Sequence, residues 1–319
     1  MVSGMSGERV GLVLGGGGIL GAAWMIGGLA ALEDRIGRPL GECDVIVGTS
    51  AGSIVAAALR LGLTPAQLVA HQLGEGEDHL PGAHEFQHDS GRLPPPPRVR
   101  FGSARMLATA ALAPHSVHPR ALASAFVPQG RAQHHTLRRY LETMVSHDPH
   151  HWPERDTWIV GVDYERGRRV VFGRPGSPQV PLPDAVVASC SIPGWHSPAV
   201  IGDRRYVDGG VRSVVSLDLL QGQRLDEVYV LAPMASYSTD RPIRPSWRVE
   251  RALRQVFAAQ VSLERRKVER SGARVTVITP GHDDLRALGI NLMDGRRRHD
   301  VLRTAQATVP AALAGAGAR

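Results

Sequence analysis

Three short stretches of this chain hold residues that could act together in acyl transfer. Gly48-Thr49-Ser50-Ala51-Gly52 sets a serine between glycines, after the apolar run Val45-Ile46-Val47 and before the alanine-rich stretch Ser53 to Leu61. A strand that turns into a helix at a serine is the setting of a nucleophile elbow. Small neighbours let strand and helix close around a strained residue, and the helix N-terminus favours developing negative charge. The same pentapeptide is also an ordinary capped helix start, with Thr49 or Ser50 as N-cap, and alone it does not choose between the two. Upstream, Val10 to Leu14 runs into Gly15-Gly16-Gly17-Gly18, a turn crowded with backbone N–H groups. Such donors suit an oxyanion hole, where losing one aimed donor costs about 3 kcal/mol of barrier. Gly16, Gly17 and Gly18 are the candidates, with the N–H of Ala51 beside the serine. The third stretch, Asp208-Gly209-Gly210, follows the apolar Tyr206-Val207 and offers a carboxylate as base, although by itself it reads equally as an Asx turn.

Other chemistries compete for these residues. Gly16-x-Gly18-x-x-Gly21 after a strand matches the dinucleotide-binding fingerprint, but that site needs an acidic residue at the end of the second strand, about 20 residues on. Asp44 instead precedes its apolar run, and no Gly-Lys-Ser/Thr follows the glycines to make a phosphate loop of the Walker kind. A Ser-Asp-His order would require a histidine after Asp208, which leaves His282 and His299, and His282 follows a strand candidate. Against that triad, the serine comes early, after only the second apolar run. Most remaining histidines fall between His71 and His151 without ligand spacing, and the adjacent pairs His134-His135 and His150-His151 read as surface residues. His196 lies between the Ser191-Ile192-Pro193-Gly194 turn and Asp208, where it either lines the cleft or supports it. Cys43 and Cys190 are far apart and read as small core residues. No metal and no organic cofactor is expected.

The elements that must position these groups alternate. Val10 to Leu14 and Asp44 to Val47 are strand candidates, each followed by a glycine-bearing turn and a helix, Ile19 to Leu32 and Ser53 to Leu61. Two strand-turn-helix units in succession favour a parallel sheet with helices on its faces, an α/β fold. From about 71 to 152 histidine and proline accumulate, including Pro94-Pro95-Pro96-Pro97. This reads as an insertion or lid containing short helices over 119–126 and 136–145. Thr157 to Tyr164 and Arg168 to Phe172 alternate around Glu165-Arg166-Gly167 as a hairpin. Asp184 to Cys190 is a helix candidate, and Glu227 to Leu231 and Arg274 to Ile278 are strands flanking an arginine-rich amphipathic helix from about Trp247 to Arg270. A helical extension is expected from about 245.

Composition narrows the class. Hydrophobic residues make up 43% and charged residues 21% of the 319 residues, which is the balance of a folded globular chain able to bury one large core. Nothing resembles a signal peptide at Met1 to Arg9, and no run reaches the roughly 18 apolar residues of a spanning helix, so the expected location is cytoplasmic, with at most peripheral membrane contact. The net charge of +7 suits an anionic membrane surface, but aromatics are only 5%, too few for a basic-aromatic nucleic-acid reader, and no nucleic acid is expected.

Taken in order, Gly16-Gly17-Gly18-Ile19-Leu20-Gly21, Gly48-Thr49-Ser50-Ala51-Gly52 and Asp208-Gly209-Gly210 resemble the three signature motifs of patatin-like phospholipases, and Ala188-Ser189-Cys190-Ser191-Ile192-Pro193-Gly194 resembles that family's lead-in to its aspartate. The resemblance spans about Val10 to Leu231. It implies a three-layer α/β/α sandwich with a mainly parallel central sheet, a single hydrolase domain over 8–319, and hydrolysis of lipid acyl esters by a Ser50-Asp208 dyad without histidine, the first glycine loop supplying the oxyanion hole. The motif glycines would be Gly21, Gly48, Gly52, Gly209 and Gly210. One position departs: the family usually carries Arg or Lys before the last glycine of its first motif, where this chain has Leu20. If that cation receives a phosphorylated head group, a neutral lipid or simple ester fits this chain better.

Overall fold

A computed structural model describes residues 8–75, 96–98, 102–113, 115, 117–145, 152–240 and 242–316. Pro94, Pro95 and the His150-His151 pair lie outside the described residues. Eight strands form one sheet: β1 (Val10–Leu14), β2 (Val45–Thr49), β3 (Asp156–Asp163), β4 (Arg168–Phe172), β5 (Ala199–Ile201), β6 (Arg204–Asp208), β7 (Glu227–Leu231) and β8 (Arg274–Ile278). Along the sheet the order is β5-β6-β3-β2-β1-β7-β8, with β4 also on β3. The pairings β3-β2, β2-β1, β1-β7 and β7-β8 are parallel, whereas β4 and β6 run antiparallel to β3.

The two central strands, Val-Gly-Leu-Val-Leu and Val-Ile-Val-Gly-Thr, are buried at every residue. That is what a parallel strand covered on both faces requires. Alternation still sorts their side chains. Leu12, Leu14, Ile46, Ile159, Tyr229 and Leu231 enter one hydrophobic cluster, and Val13, Val47, Trp158, Val160, Val228 and Val230 enter the other. The first cluster is covered by helices α1 (Gly18–Ile36), α2 (Ala51–Arg60), α7 (Leu182–Ser189) and α10 (Arg298–Ala316). The second is covered by α8 (Pro245–Glu269) and the turn over Leu217–Leu220. The layering is therefore helix, sheet, helix, as the motifs imply.

At the edge of the expected insertion and among its described residues the chain forms four helices. Helix α3 (Pro65–Leu73) carries through His71, opened by a capping box between Thr64 and Gln67 with Pro65 in its first turn. Further on stand α4 (Ala104–Leu112), α5 (Pro119–Phe126) and α6 (His135–Val145). Met106, Val117, Ala121 and Ala125 make a third cluster against Val162, Tyr164 and Val207 at the end of β3 and on β6. Helix α9 (His282–Leu288) and helix α10 close the chain against α1.

Candidate active site

Strand β3 is longer than its neighbours, and this length brings the site together. Its residues Ile159 to Asp163 pair with β4 on one edge, so the other edge must hold both β2, paired as far as Thr49 opposite Val160, and β6, paired from Asp208 opposite Gly161. Strands β6 and β2, running in opposite senses, thus both end at this point of β3, and Asp208 stands one residue further along β3 than Thr49. The last residue of one strand and the first turn beyond the other become neighbours.

Ser50 occupies that turn. Its backbone is at φ 53°, ψ −124°, a conformation that costs a non-glycine residue on the order of 1–3 kcal/mol and persists only where its surroundings hold it. The restraint is specific. The Ser50 N–H donates to Ser189 Oγ at 2.8 Å, and Ser189 Oγ donates in turn to the Val160 carbonyl at 2.6 Å. From the helix side, the Ser50 carbonyl accepts from the Ser53 N–H at 2.8 Å and from Ser53 Oγ at 2.6 Å. The flanking glycines permit the crowding: a Cβ at Gly48 would lie 2.6 Å from the Ser53 Cα, and one at Gly52 would collide with the Leu14 carbonyl.

Asp208 is held differently. It is 5% exposed, its N–H donates to the Ser191 carbonyl at 2.9 Å, and its Oδ1 accepts from the Gly210 N–H at 2.7 Å. Burial raises its pKa to about 6, against the smaller opposing effects of hydrogen bonds from the Ser50 hydroxyl and the Gly210 N–H. An ordinary aspartate would be a feeble base at neutral pH; this one is ionised there yet close enough to its pKa to take a proton.

The glycine loop abuts the serine, since a Cβ at Gly16 would lie 3.3 Å from the Ser50 Cβ. The Gly16 N–H donates to the Val214 carbonyl at 2.8 Å, so that donor is already engaged. The N–H groups of Gly17 and Gly18 have no partner among the described residues and sit at the start of α1. Gly18 takes φ +59°, and Leu20 beyond it is buried with its N–H on the Leu292 carbonyl.

The rival arrangements are not assembled. His282 is 60% exposed at its ring and faces Asp240 at 3.8 Å, while His299 Nε2 lies 3.1 Å from the Gln72 carbonyl. Neither joins Ser50 or Asp208. Asp44 accepts from the Val10 N–H and from Arg38, which places it at the entry of β1 and β2, a strand length of roughly 17 Å from the glycine loop, and not at a ribose. Burial pushes both cysteine thiols up, Cys43 to about 11, so neither is a thiolate nucleophile at neutral pH. No cluster of His, Cys, Asp or Glu among the described residues could hold a metal ion.

Two features escaped the sequence reading. Ser189 was quoted only as part of a lead-in, and its hydroxyl acts across 139 residues of chain on Ser50. His134, expected at the surface, stacks on the buried His196 with ring centroids 3.9 Å apart. Burial lowers the two to about 4 and about 3, so both are neutral. The backbone bridge between Ala132 and His196 ties the α5–α6 connection to the turn before β5, a supporting role for His196.

Comparison with known proteins adds to this geometry. A family model described as patatin-like phospholipase matches residues 12–220. The solved structure of VipD from Legionella pneumophila is similar over 97% of this chain and 67% of that one, with 14% identity and a TM-score of 0.46. No curated protein sequence matches the chain. In the described residues no helix is long and apolar enough to cross a membrane.

Proposed function

Because the chain belongs to the patatin-like phospholipase family, which implies lipid acyl hydrolysis, we propose that Ser50 is the nucleophile and Asp208 the general base of a two-residue acyl-hydrolase site. The observation that carries this reading is the meeting of a strained serine with a buried carboxylate of pKa about 6 at the junction of β2 and β6.

In the reaction, Asp208 takes the Ser50 proton as Oγ adds to the ester carbonyl. The tetrahedral oxyanion is received by the N–H groups of Gly17, Gly18 and Ala51, the last at the N-terminus of α2, where the helix dipole adds to the hydrogen bonds. Gly16 belongs to this loop as a shaping residue, its own N–H being committed to Val214. Collapse of the intermediate returns the proton from Asp208 to the leaving alcohol and leaves an acyl-serine. Water, deprotonated by Asp208, then adds to the acyl-serine, and as the Oγ–acyl bond breaks Asp208 returns that proton to Ser50 Oγ, releasing the fatty acid and restoring the free serine. The first motif supplies no cation to a head group, since Leu20 is apolar and buried, and the reading therefore favours a neutral lipid or simple ester over a phospholipid.

The test is covalent. A fluorophosphonate should label the wild-type protein once, at Ser50, and p-nitrophenyl esters should be hydrolysed. Ser50→Ala should lose both the label and at least about 1,000-fold of the turnover. A wild-type protein that neither labels nor turns over any ester of the series would return the glycine loop to a purely structural role.

A further inference from the structure

Helix α8 has two apolar faces, and only one of them is used by the fold. Ala258, Val261 and Val268 point into the core beside the sheet, together with the buried Arg251, Arg254 and Glu264. On the opposite side Val249, Leu253, Val256 and Leu263 are 70, 50, 52 and 60% exposed. At 100° per residue these four lie within an arc of about 80°, a stripe roughly 21 Å long. Ile243, 90% exposed, extends it just before the helix. Isolated exposed apolar residues need no explanation, but four on one arc of a helix, interrupted only by Gln260, do.

The charges around the stripe have one sign. Arg248 and Arg266 border it on one side, Arg244 stands at its start and Lys267 at its end, and none of the four makes an ion pair among the described residues. The three glutamates of the helix are withdrawn from it. Glu250 pairs with Arg251 and Arg254, Glu264 is buried with its carboxylate on the Leu217 N–H, and Glu269 pairs with Arg265. An apolar band rimmed by cations, of which Lys267 also acts on a neighbouring carboxylate, Asp218, complements an anionic lipid surface, which takes up the side chains between its acyl chains and neutralises the rim with its head groups. A second copy of the same face would bring four cations against four cations.

The position of the stripe fits the site. Arg254 Nη1 donates to the Pro233 carbonyl at 2.6 Å, and the Pro233 ring packs on the glycine loop, 2.9 Å from where a Cβ on Gly17 would stand. Gln260 Nε2 donates to the Arg212 carbonyl at 3.2 Å, in the turn leaving Asp208. Helix α8 therefore braces both loops of the cleft, through Arg254 on its core side and through Gln260, which lies within the arc of the stripe between Val256 and Leu263, while the four apolar side chains themselves stay exposed. We infer that this outer face docks the protein on anionic lipid bilayers and so presents the cleft to acyl chains in the membrane. The inference rests on the acyl-hydrolase reading of the site.

Vesicle flotation separates the two. Ser50→Ala protein, unable to alter the lipid, is floated with phosphatidylcholine vesicles and with vesicles containing about 30% phosphatidylglycerol, at low salt and at 0.5 M salt. Binding should appear only with phosphatidylglycerol and weaken about ten-fold or more at high salt. The doubles Leu253→Ser/Val256→Ser and Arg248→Ser/Arg266→Ser should each lower it at least about ten-fold. In an otherwise wild-type background, both should still label with fluorophosphonate at Ser50, which reports an intact fold and cleft. Protein that labels but does not float, or that floats equally well with both doubles, overturns the docking face. So does a dimer in sedimentation that Leu253→Ser/Val256→Ser dissociates, which would assign the stripe to self-association. Floating that depends on the stripe in a protein that never labels would instead overturn the active-site reading and leave the docking face standing.

Discussion

Ser50 and Asp208 stand side by side, yet the molecule strains them in different ways. Ser50 carries conformational strain: a positive φ in a non-glycine residue, clamped by Ser189 on one side and Ser53 on the other. Asp208 has an ordinary extended backbone, φ −49° and ψ 133°, and carries electrostatic strain, a carboxylate taken out of water with only two hydrogen-bond donors facing its side chain. The first is sensitive to packing and backbone, the second to pH. Each can therefore be relieved by its own substitution, the Ser50–Asp208 hydrogen bond being their direct link.

The largest effect should come from relieving Asp208. Asp208→Asn removes the proposed base, and turnover of a soluble ester should fall about 100- to 10,000-fold. Its stability should move the opposite way. The folded-state pKa lies above the unfolded value, so the wild-type carboxyl costs nothing at low pH and destabilises progressively as pH rises from about 4 through about 6. At pH 8 the variant should be more stable, by up to roughly 3 kcal/mol. Thermal melts at pH 4 and pH 8 check this: a variant that melts below wild type at both would remove electrostatic strain from the account. In the wild type itself, kcat/KM for a soluble ester should climb through an ionisation near pH 6 and stay level above it. An acidic limb centred near 4 would mean that the carboxylate is solvated in the working enzyme.

Relieving Ser50 should cost less activity and more stability. Ser189→Ala leaves the Ser50 N–H and the Val160 carbonyl buried without their shared partner, a loss of about 1–3 kcal/mol. Turnover should drop on the order of ten-fold through kcat with KM little changed, because the hydroxyl holds the proposed nucleophile through its backbone N–H. Denaturant melts and steady-state kinetics together distinguish this from general unfolding. The smallest effect belongs to His282→Ala. Its ring is mostly exposed and faces only Asp240, so activity should remain within about two-fold, and a loss like that of Asp208→Asn would restore a histidine triad.

Much of this arrangement was legible in the chain because its signals are local. Valine-rich runs ending in glycine mark β1 and β2, and the helices that follow are spelled by alanine and leucine. The hairpin β3–β4 announces itself at Glu165-Arg166-Gly167. Strand β5, three residues beside Gly202, is too short to show a period, and α10 is weakly patterned and interrupted by Pro310. Ser50 and Asp208 were found through motifs, but what joins them is the length of β3, and no pattern at either residue encodes that. Likewise the engaged Gly16 donor depends on the Val214 carbonyl, almost two hundred residues downstream, and nothing in a run of glycines tells which N–H is taken. The arginine-rich helix was recognised as amphipathic, but its second apolar face emerges only once the sheet claims the first.

The Leu20 N–H rests on the Leu292 carbonyl, and a Cβ on Gly18 would run into Met293 Sδ. The glycine turn thus takes part of its wall from a segment about 270 residues downstream, and β1 lacks its β7 neighbour until residue 231 has been synthesised. A nascent chain long enough to hold both Ser50 and Asp208 is still missing that wall. A chain cut short of Met293 would therefore carry both motifs and still lack the wall against which the glycine loop turns.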